Sequence, residues 1–293
     1  MDKYEVKKAL GKVDQSGVFL ATDKTTGTKV ALKLFSSPSD AEREQLLKNA
    51  KILQGISHPN VVRILDVGLD DENNVFYAME YLDGIPLHDL IPPEQGIGFE
   101  DSMPYIEKIL AGLSAMHTAG VMHLDLKPGN ILVVAGEPKI IDFGIIASKG
   151  QFRGTAGYVA PEIILGQKPT IKADIYSLGA LLAFMWTGHK LFKGTSPENT
   201  MAHQLKNFSE TIHQPELAGI VQRAIRQDPT IRYTDTAELR QALEFYRHEQ
   251  QFRREEPSED ISENQWGQWM IAGFLVSLVG IALGIYYSLL TSV

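Results

Sequence analysis

Cysteine is absent from all 293 residues. That absence excludes a disulfide framework, a thiolate nucleophile and any zinc site built on cysteine, and it fits a reducing compartment. An excess of basic charge is lacking too: 28 Lys and Arg stand against 36 Asp and Glu, for a net charge of −8. Nucleic-acid binding needs clustered Lys and Arg against the phosphates, so no nucleic-acid partner is expected. The first residues, MDKYEVKKALGK, are crowded with charge and contain no apolar h-region, so no signal peptide is expected. Internal repeats and low-complexity tracts are missing as well.

Only one long hydrophobic run occurs, near the end. Residues 269–290, WMIAGFLVSLVGIALGIYYSLL, hold no charged side chain. A helix of that length, rising about 1.5 Å per residue, crosses a hydrocarbon core of roughly 30 Å. Trp266 and Trp269 on one side and Tyr286 and Tyr287 near the other suit the two interfacial belts. A membrane span at 269–290 with a short tail at 291–293 is therefore expected, in tail-anchor geometry. Gly273, Ser277, Gly280, Gly284 and Ser288 fall along one face of that helix, a pattern that admits a homodimer. Residues 253–268 before the span carry five acids and no base after Arg254, and read as a flexible acidic linker.

The rest of the chain has an ordinary globular composition, 44% hydrophobic and 22% charged, and enough length to bury a sizeable core. Residues 4–82 read as strands, with apolar or alternating runs near 18–21, 30–35, 61–67 and 75–81. One helix interrupts them. Ser39-Asp40-Ala41-Glu42 is a capping box, and Leu46, Leu47, Ala50, Ile52 and Leu53 follow at roughly helical spacing. Residues 84–250 read as mostly helical, with helices near 103–119, 174–186, 216–226 and 236–252. A strand-like pair at 131–134 and 139–141 follows the loop VMHLDLKPGN at 121–130.

That loop concentrates chemistry, placing Asp125, Lys127 and Asn130 around a bend held by Pro128. Asp142-Phe143-Gly144 comes next, then Gly154-Thr155 and Ala160-Pro161-Glu162. Upstream, Val30-Ala31-Leu32-Lys33 lies on a strand and Met79-Glu80-Tyr81-Leu82-Asp83-Gly84 closes the strand-rich part. Further on stand Asp174-Ile175-Tyr176-Ser177-Leu178-Gly179 and Asp228-Pro229 with Arg232. Taken singly, an Asp or Asn in a loop is a turn former and a Lys is a solvated charge. In this order and spacing, the motifs make the chain resemble the eukaryotic-type (Hanks-type) serine/threonine protein kinases, including those of bacteria, over nearly all of residues 4–250.

The resemblance implies an α+β, two-lobed protein-kinase-like fold. Its small, mainly β N-lobe would take residues 1–82 and its large, mainly α C-lobe residues 83–252, followed by the linker and the C-terminal transmembrane helix. It implies ATP and Mg2+ as cofactors and a protein substrate that no motif names. Asp125 would accept or orient the proton of the substrate hydroxyl, and Lys127 would neutralise charge on the transferred phosphoryl group. Lys33 would hold the α- and β-phosphates, while Gly11, Val18, Ala31, Glu80, Leu82 and Leu132 would enclose the nucleotide. Asn130 and Asp142 would offer oxygen ligands to magnesium, a hard cation. His123 reads as a structural residue of the loop rather than a general base. Lys127 two residues after Asp125, with Thr155 before Ala-Pro-Glu, resembles the serine/threonine branch rather than the tyrosine branch. ATP is cytosolic, so the kinase-like part of a single-pass membrane protein is expected on the cytoplasmic side.

Three features within this region depart from the family pattern. Of the glycine-rich loop only Gly11 is in place; Val13 and Ser16 fill the other two glycine positions, and a branched Val hinders close approach of backbone N–H groups to phosphates. Nine residues before His58 the family has a Glu that pairs with the strand Lys; here that position is Asn49, and Glu42 is expected to be occupied in the capping box. Leu124 replaces the Arg that in the family binds a phosphate on the activation segment, so activity is not expected to wait for phosphorylation there. These departures keep a second reading open, a pseudokinase acting as a membrane-anchored binding or scaffold module with a degenerate ATP site. The intact Lys33, Asp125, Lys127, Asn130 and Asp142 oppose it. A small-molecule kinase of related fold is a third reading, opposed by the Gly-Thr and Ala-Pro-Glu platform.

Overall fold

The computed structural model describes residues 2–11, 16–35, 39–142, 154–206 and 215–255. Its first strands are β1 (Tyr4–Ala9), β2 (Ser16–Asp23) and β3 (Lys29–Phe35). Successive side chains of a strand face opposite ways, and β3 uses both faces. Val30 and Leu32 pack with Tyr4, Ala21, Phe76 and Ala78 in a small core on one side. Ala31, Lys33 and Phe35 face the other, where Phe35 meets Leu46 and Ala50 of α1 (Asp40–Gln54). The expected capping box opens α1: Ser39 N–H donates to Glu42 Oε2 at 2.9 Å and Glu42 N–H donates back to Ser39 Oγ at 3.4 Å.

β4 (Ile64–Leu69) and β5 (Val75–Glu80) complete an antiparallel sheet of order β1-β2-β3-β5-β4. The run expected as one strand at 61–67 divides. Val61 and Val62 are buried but leave the sheet: Val61 bridges Ile140, and Val62 N–H donates to Ile140 O at 2.9 Å. Apolarity there marks burial against a different strand, not membership of the first sheet. β1 gave no separate signal, since only Tyr4 of YEVKKA is buried.

After the sheet come β6 (Ile85–Pro86), α2 (Leu87–Leu90), α3 (Phe99–Thr118), β7 (Ile131–Val134) and β8 (Glu137–Ile140). The second sheet has the order β6-β7-β8. Ala135 and Gly136, with φ of 50° and 84°, make the two-residue turn between β7 and β8, so pairing begins at Glu137 rather than at the expected 139. α3 begins at Phe99, four residues before the expected start, and contains Pro104 within its first turns.

The remaining elements are α4 (Pro161–Ile164), α5 (Ile171–Thr187), α6 (Pro197–Leu205), α7 (Pro215–Ala224) and α8 (Thr236–Glu255). α5 is the buried axis of the helical region. A Cβ added at its Gly179 would come within 2.6 Å of Ala224 Cβ, so glycine lets α5 and α7 touch. The main core joins Ile106, Leu110 and Leu113 of α3 to Tyr176 and Leu181 of α5 and Val221 of α7. The short α2 and α4 and the polar α6 have no apolar period and were not anticipated. Residues 1–247 form one compact unit; described residues 248–255 are the last turns of α8, where Arg253 Nη2 lies 3.6 Å from Glu249 Oε1. Among the described residues no helix is long and apolar enough to cross a membrane. The expected span at 269–290 and residues 256–268 of the expected linker lie outside the described residues.

Candidate active site

The loop at 123–130 is set by a buried carboxylate. Asp174 of α5 accepts hydrogen bonds from His123 N–H at 2.8 Å and Leu124 N–H at 2.7 Å, and its Oδ2 lies 2.7 Å from His117 Nε2. Two consecutive N–H groups on one carboxylate hold Leu124 at φ 63°, a left-handed conformation that side-chain-bearing residues rarely adopt. Asp125 N–H donates to His123 Nδ1 at 3.3 Å, which leaves the ring proton on Nε2, and that proton is donated to Ile141 O at 3.1 Å. Burial pushes the His123 pKa down, so the ring is a neutral strut between the loop and the residue before Asp142.

Asp125 is the centre of the loop. Its Oδ1 accepts from Thr155 N–H at 3.0 Å and from Thr155 Oγ1 at 2.8 Å. Its Oδ2 accepts from Lys127 Nζ at 2.7 Å and Asn130 Nδ2 at 3.0 Å. Lys127 Nζ also donates to Thr155 Oγ1 at 2.6 Å. The turn Pro128–Asn130 brings Asn130 Nδ2 within 2.8 Å of Asp125 O as well. The expected Asp125, Lys127 and Asn130 are thus within one hydrogen-bonded group, and Thr155 belongs to it.

A cavity of about 430 Å³ opens beside this group, between the two sheets. Gly11, Val18, Ala31 and Lys33 line one side; Glu80 and Leu82 lie along one edge, with Leu132, Asn130 and Asp142 opposite. Every residue assigned to the nucleotide or to the metal therefore borders one cavity, and Asn130 belongs both to it and to the Asp125 group. Lys33 is 10% exposed at its side chain and forms an ion pair with Asp142, itself at φ 58°. The Glu80 carboxylate takes no part in the cavity chemistry: its Oε1 accepts from Lys139 Nζ at 2.8 Å and from Arg63 N–H at 3.0 Å.

Asn130 and Asp142 suit a magnesium ion. Both amide protons reaching Asp125 come from Asn130 Nδ2, so its Oδ1 is the atom left for a cation. Among the described residues no group of three or more His, Cys, Asp or Glu is placed to hold a metal. Magnesium does not require one, because it takes one or two protein oxygens and completes its shell with phosphates and waters.

Asn49 accepts from Gln45 Nε2 at 2.8 Å through its Oδ1, and the ion pair of Lys33 runs to Asp142. Val13, Phe143, Gly144 and Ser148 lie outside the described residues, as does the side chain of Ser16. The segment after Thr155 is fixed by contacts that the sequence did not state. Gln204 of α6 accepts from Gly157 N–H at 2.8 Å and donates to Val159 O at 2.9 Å. Glu162 takes a bidentate pair from buried Arg232, 2.7 Å at each oxygen. Gln204 could not have been found from sequence; Asp174, Glu162 and Arg232 could be placed in order, but not joined to their partners.

Comparison with known proteins agrees with this geometry. The model of the protein kinase domain matches residues 4–254. A probable serine/threonine-protein kinase of Clostridium perfringens is 31% identical over 257 residues, covering 81% of this chain and 37% of its own. The probable serine/threonine-protein kinase PknB of Lactococcus lactis is 31% identical over 260 residues, covering 81% and 41%. The serine/threonine-protein kinase PknD of Chlamydia trachomatis is 30% identical over 296 residues, covering 84% and 32%. The chain spans roughly a third to two-fifths of the length of these curated relatives.

Proposed function

Because the chain belongs to the protein kinase family, we propose that it transfers the γ-phosphoryl group of ATP to serine or threonine hydroxyls of a protein. One observation carries this reading. A threonine hydroxyl, that of Thr155, is held between Asp125 Oδ1 and Lys127 Nζ, and Asn130 joins that group to the cavity that contains Lys33 and Asp142. The names of the similar bacterial proteins point the same way.

Phosphoryl transfer from ATP is mainly positioning and charge stabilisation. Val18, Ala31, Leu82 and Leu132 offer apolar surfaces to a flat heterocycle, and Lys33 at the same cavity carries the charge that phosphates need. Asp125 is a carboxylate within hydrogen-bond reach of a hydroxyl, and in that place it orients the incoming oxygen and receives its proton. Lys127, on the same hydroxyl, stabilises negative charge as it develops there. Asn130 and Asp142 would hold magnesium, which when bound neutralises phosphate charge.

The test measures magnesium-dependent transfer of labelled phosphate from ATP to a generic protein substrate. Asp125→Asn and Asp142→Asn should each reduce it by at least about a hundredfold while the fold persists. Wild-type turnover in both variants would overturn the mechanism. A wild-type chain that binds ATP without any transfer would establish the scaffold reading instead. The uncharged run at 269–290 supports tethering of this kinase to a membrane, with residues 1–268 on the ATP-containing side and pairing through the small-residue face. Carbonate extraction of membranes carrying the full chain, before and after deletion of 269–290, tests the tether.

A further inference from the structure

A second concavity, of about 560 Å³, shares no residue with the nucleotide cavity. Residues 55–58, which follow α1, form one wall, and Ala111, Ser114, Ala115 and Thr118 of α3 form the other. Arg240 of α8 closes it. The other buried or half-buried arginines among the described residues each meet a carboxylate: Arg43 with Asp40 at 2.6 Å, Arg232 with Glu162 at 2.7 Å and Arg247 with Glu107 at 2.9 Å. Arg240 differs. It is half-buried, its Nε is sealed from water with no hydrogen-bond partner, and among the described residues it forms no ion pair. A guanidinium held partly out of water without a counter-charge is unfavourable, and a carboxylate is its natural bidentate partner.

Besides the hydroxyls of Ser57, Ser114 and Thr118, the other polar group at the groove is His58. Asn60 N–H donates to its Nδ1 at 3.1 Å, which leaves the ring proton on Nε2 as a donor. Burial lowers the His58 pKa, so the ring stays neutral, and among the described residues Arg240 is the one positive charge lining the groove. The remaining wall is built of small residues, with Ile56, Ala111, Ala115 and Ala119 as its apolar part.

We propose that this groove binds a small organic acid, one carboxylate on a compact apolar body, with the carboxylate on Arg240 and the body over Ala111, Ala115 and Ile56. A phosphate dianion matches the site less well, because one guanidinium neutralises only half of its charge and the apolar part of the wall is left uncovered. The occupant also bears on the active site through covalent continuity. Gly55 caps the C-terminal end of α1. Asn60, two residues beyond the wall, donates to Pro138 O at 2.8 Å and accepts from Ile140 N–H at 2.8 Å, on the strand that leads to Asp142. A ligand wedged against residues 55–58 braces this segment, which makes the groove an effector site.

The experiment uses the full chain with its nucleotide cavity saturated by a non-hydrolysable ATP analogue and magnesium. The probe is 2-naphthoate, followed by calorimetry and ligand-observed saturation-transfer NMR, with 2-naphthalenemethanol and inorganic phosphate as comparisons. Saturable binding of 2-naphthoate is expected, weakened at least about tenfold in Arg240→Gln and in Ala115→Phe, both checked for unchanged melting. The alcohol and phosphate should bind at least about tenfold more weakly than the acid. Absence of saturable binding, equal affinity in wild type and Arg240→Gln, or tighter binding of phosphate each overturns the proposal, whatever the transferase activity.

Discussion

The hydroxyl of Thr155 donates to Oδ1 of Asp125 across 2.8 Å, linking a loop residue of the platform to the central carboxylate of the site. Together with Lys127 it fixes the rotamer of Asp125, so the carboxylate is aimed before any substrate arrives. Thr155→Ser preserves the hydroxyl and should keep kcat within a few-fold. Thr155→Val removes two hydrogen bonds involving charged groups, worth about 1.5–3 kcal/mol each before compensation, and should lower kcat by roughly 10- to 100-fold. Steady-state kinetics decides it: the loss should appear in kcat, with KM for ATP little changed.

The pair of Glu162 and Arg232 should dominate the stability of the helical region. Both groups are buried, and Arg232 also donates to Arg226 O at 2.7 Å and Lys172 O at 2.9 Å. Removing one partner leaves the other charge stranded, so Arg232→Met should destabilise by about 3–5 kcal/mol. Urea unfolding gives the value. The double variant Arg232→Met, Glu162→Leu should recover part of the loss, and a strictly additive result would contradict the account.

Asn49 lies between Leu46 and Leu53 on the half of α1 that faces the sheet. An acid at this position would compete with Asp142 for Lys33 and release Asp142 for the metal. Asn49→Glu should therefore raise kcat/KM for ATP, by up to about tenfold, the equivalent of 1.4 kcal/mol. Unchanged or lower kcat/KM would show that the carboxylate does not reach Lys33 from this turn.

Two neutral histidines give the fold a defined pH dependence. Burial lowers the pKa of His123 and of His58, so the unfolded chain takes up protons near pH 6.5 that the folded chain refuses. Stability contributed by these groups is complete above about pH 6.5 and falls as pH drops below it toward their folded values, by about 1.4 kcal/mol per pH unit for each proton. Urea midpoints at pH 7.5, 6.5 and 5.5 should decline, and His123→Gln should flatten the decline by one proton. An identical slope in the variant would contradict the assignment.

The grouping of the candidate site residues was legible in the sequence because the chemistry expected of them fixes both their type and their spacing. Asp125, Lys127 and Asn130 fall within one loop, so local geometry alone brings them together. The capping box at Ser39 and Glu42 was legible for the same reason: its partners are three residues apart. Long-range partners were not. The hold of Asp174 on the backbone of His123 and Leu124 reaches across 51 and 50 residues, and nothing in the order of residues states it. The apolar pair Val61-Val62 misled because hydrophobicity reports burial and not the identity of the neighbour, which is Ile140 of another sheet. α6 was invisible because its inward groups, Thr200 and Gln204, are polar and buried by hydrogen bonds rather than by apolar contact.

Leu124 ties the loop to the interior. It is only 7% exposed and belongs to the same core as Ile106 of α3 and Tyr176 of α5, where the family pattern would place a cation reaching for a phosphate. Among the described residues, the loop bearing Asp125 is consequently held by the core rather than by a charged latch. On heating, turnover and the tertiary signal of the core should vanish at one temperature, with no interval in which the chain is folded yet idle. In each folded copy this loop is set along with the core, so an effector held at the Arg240 groove would act on a loop already in place.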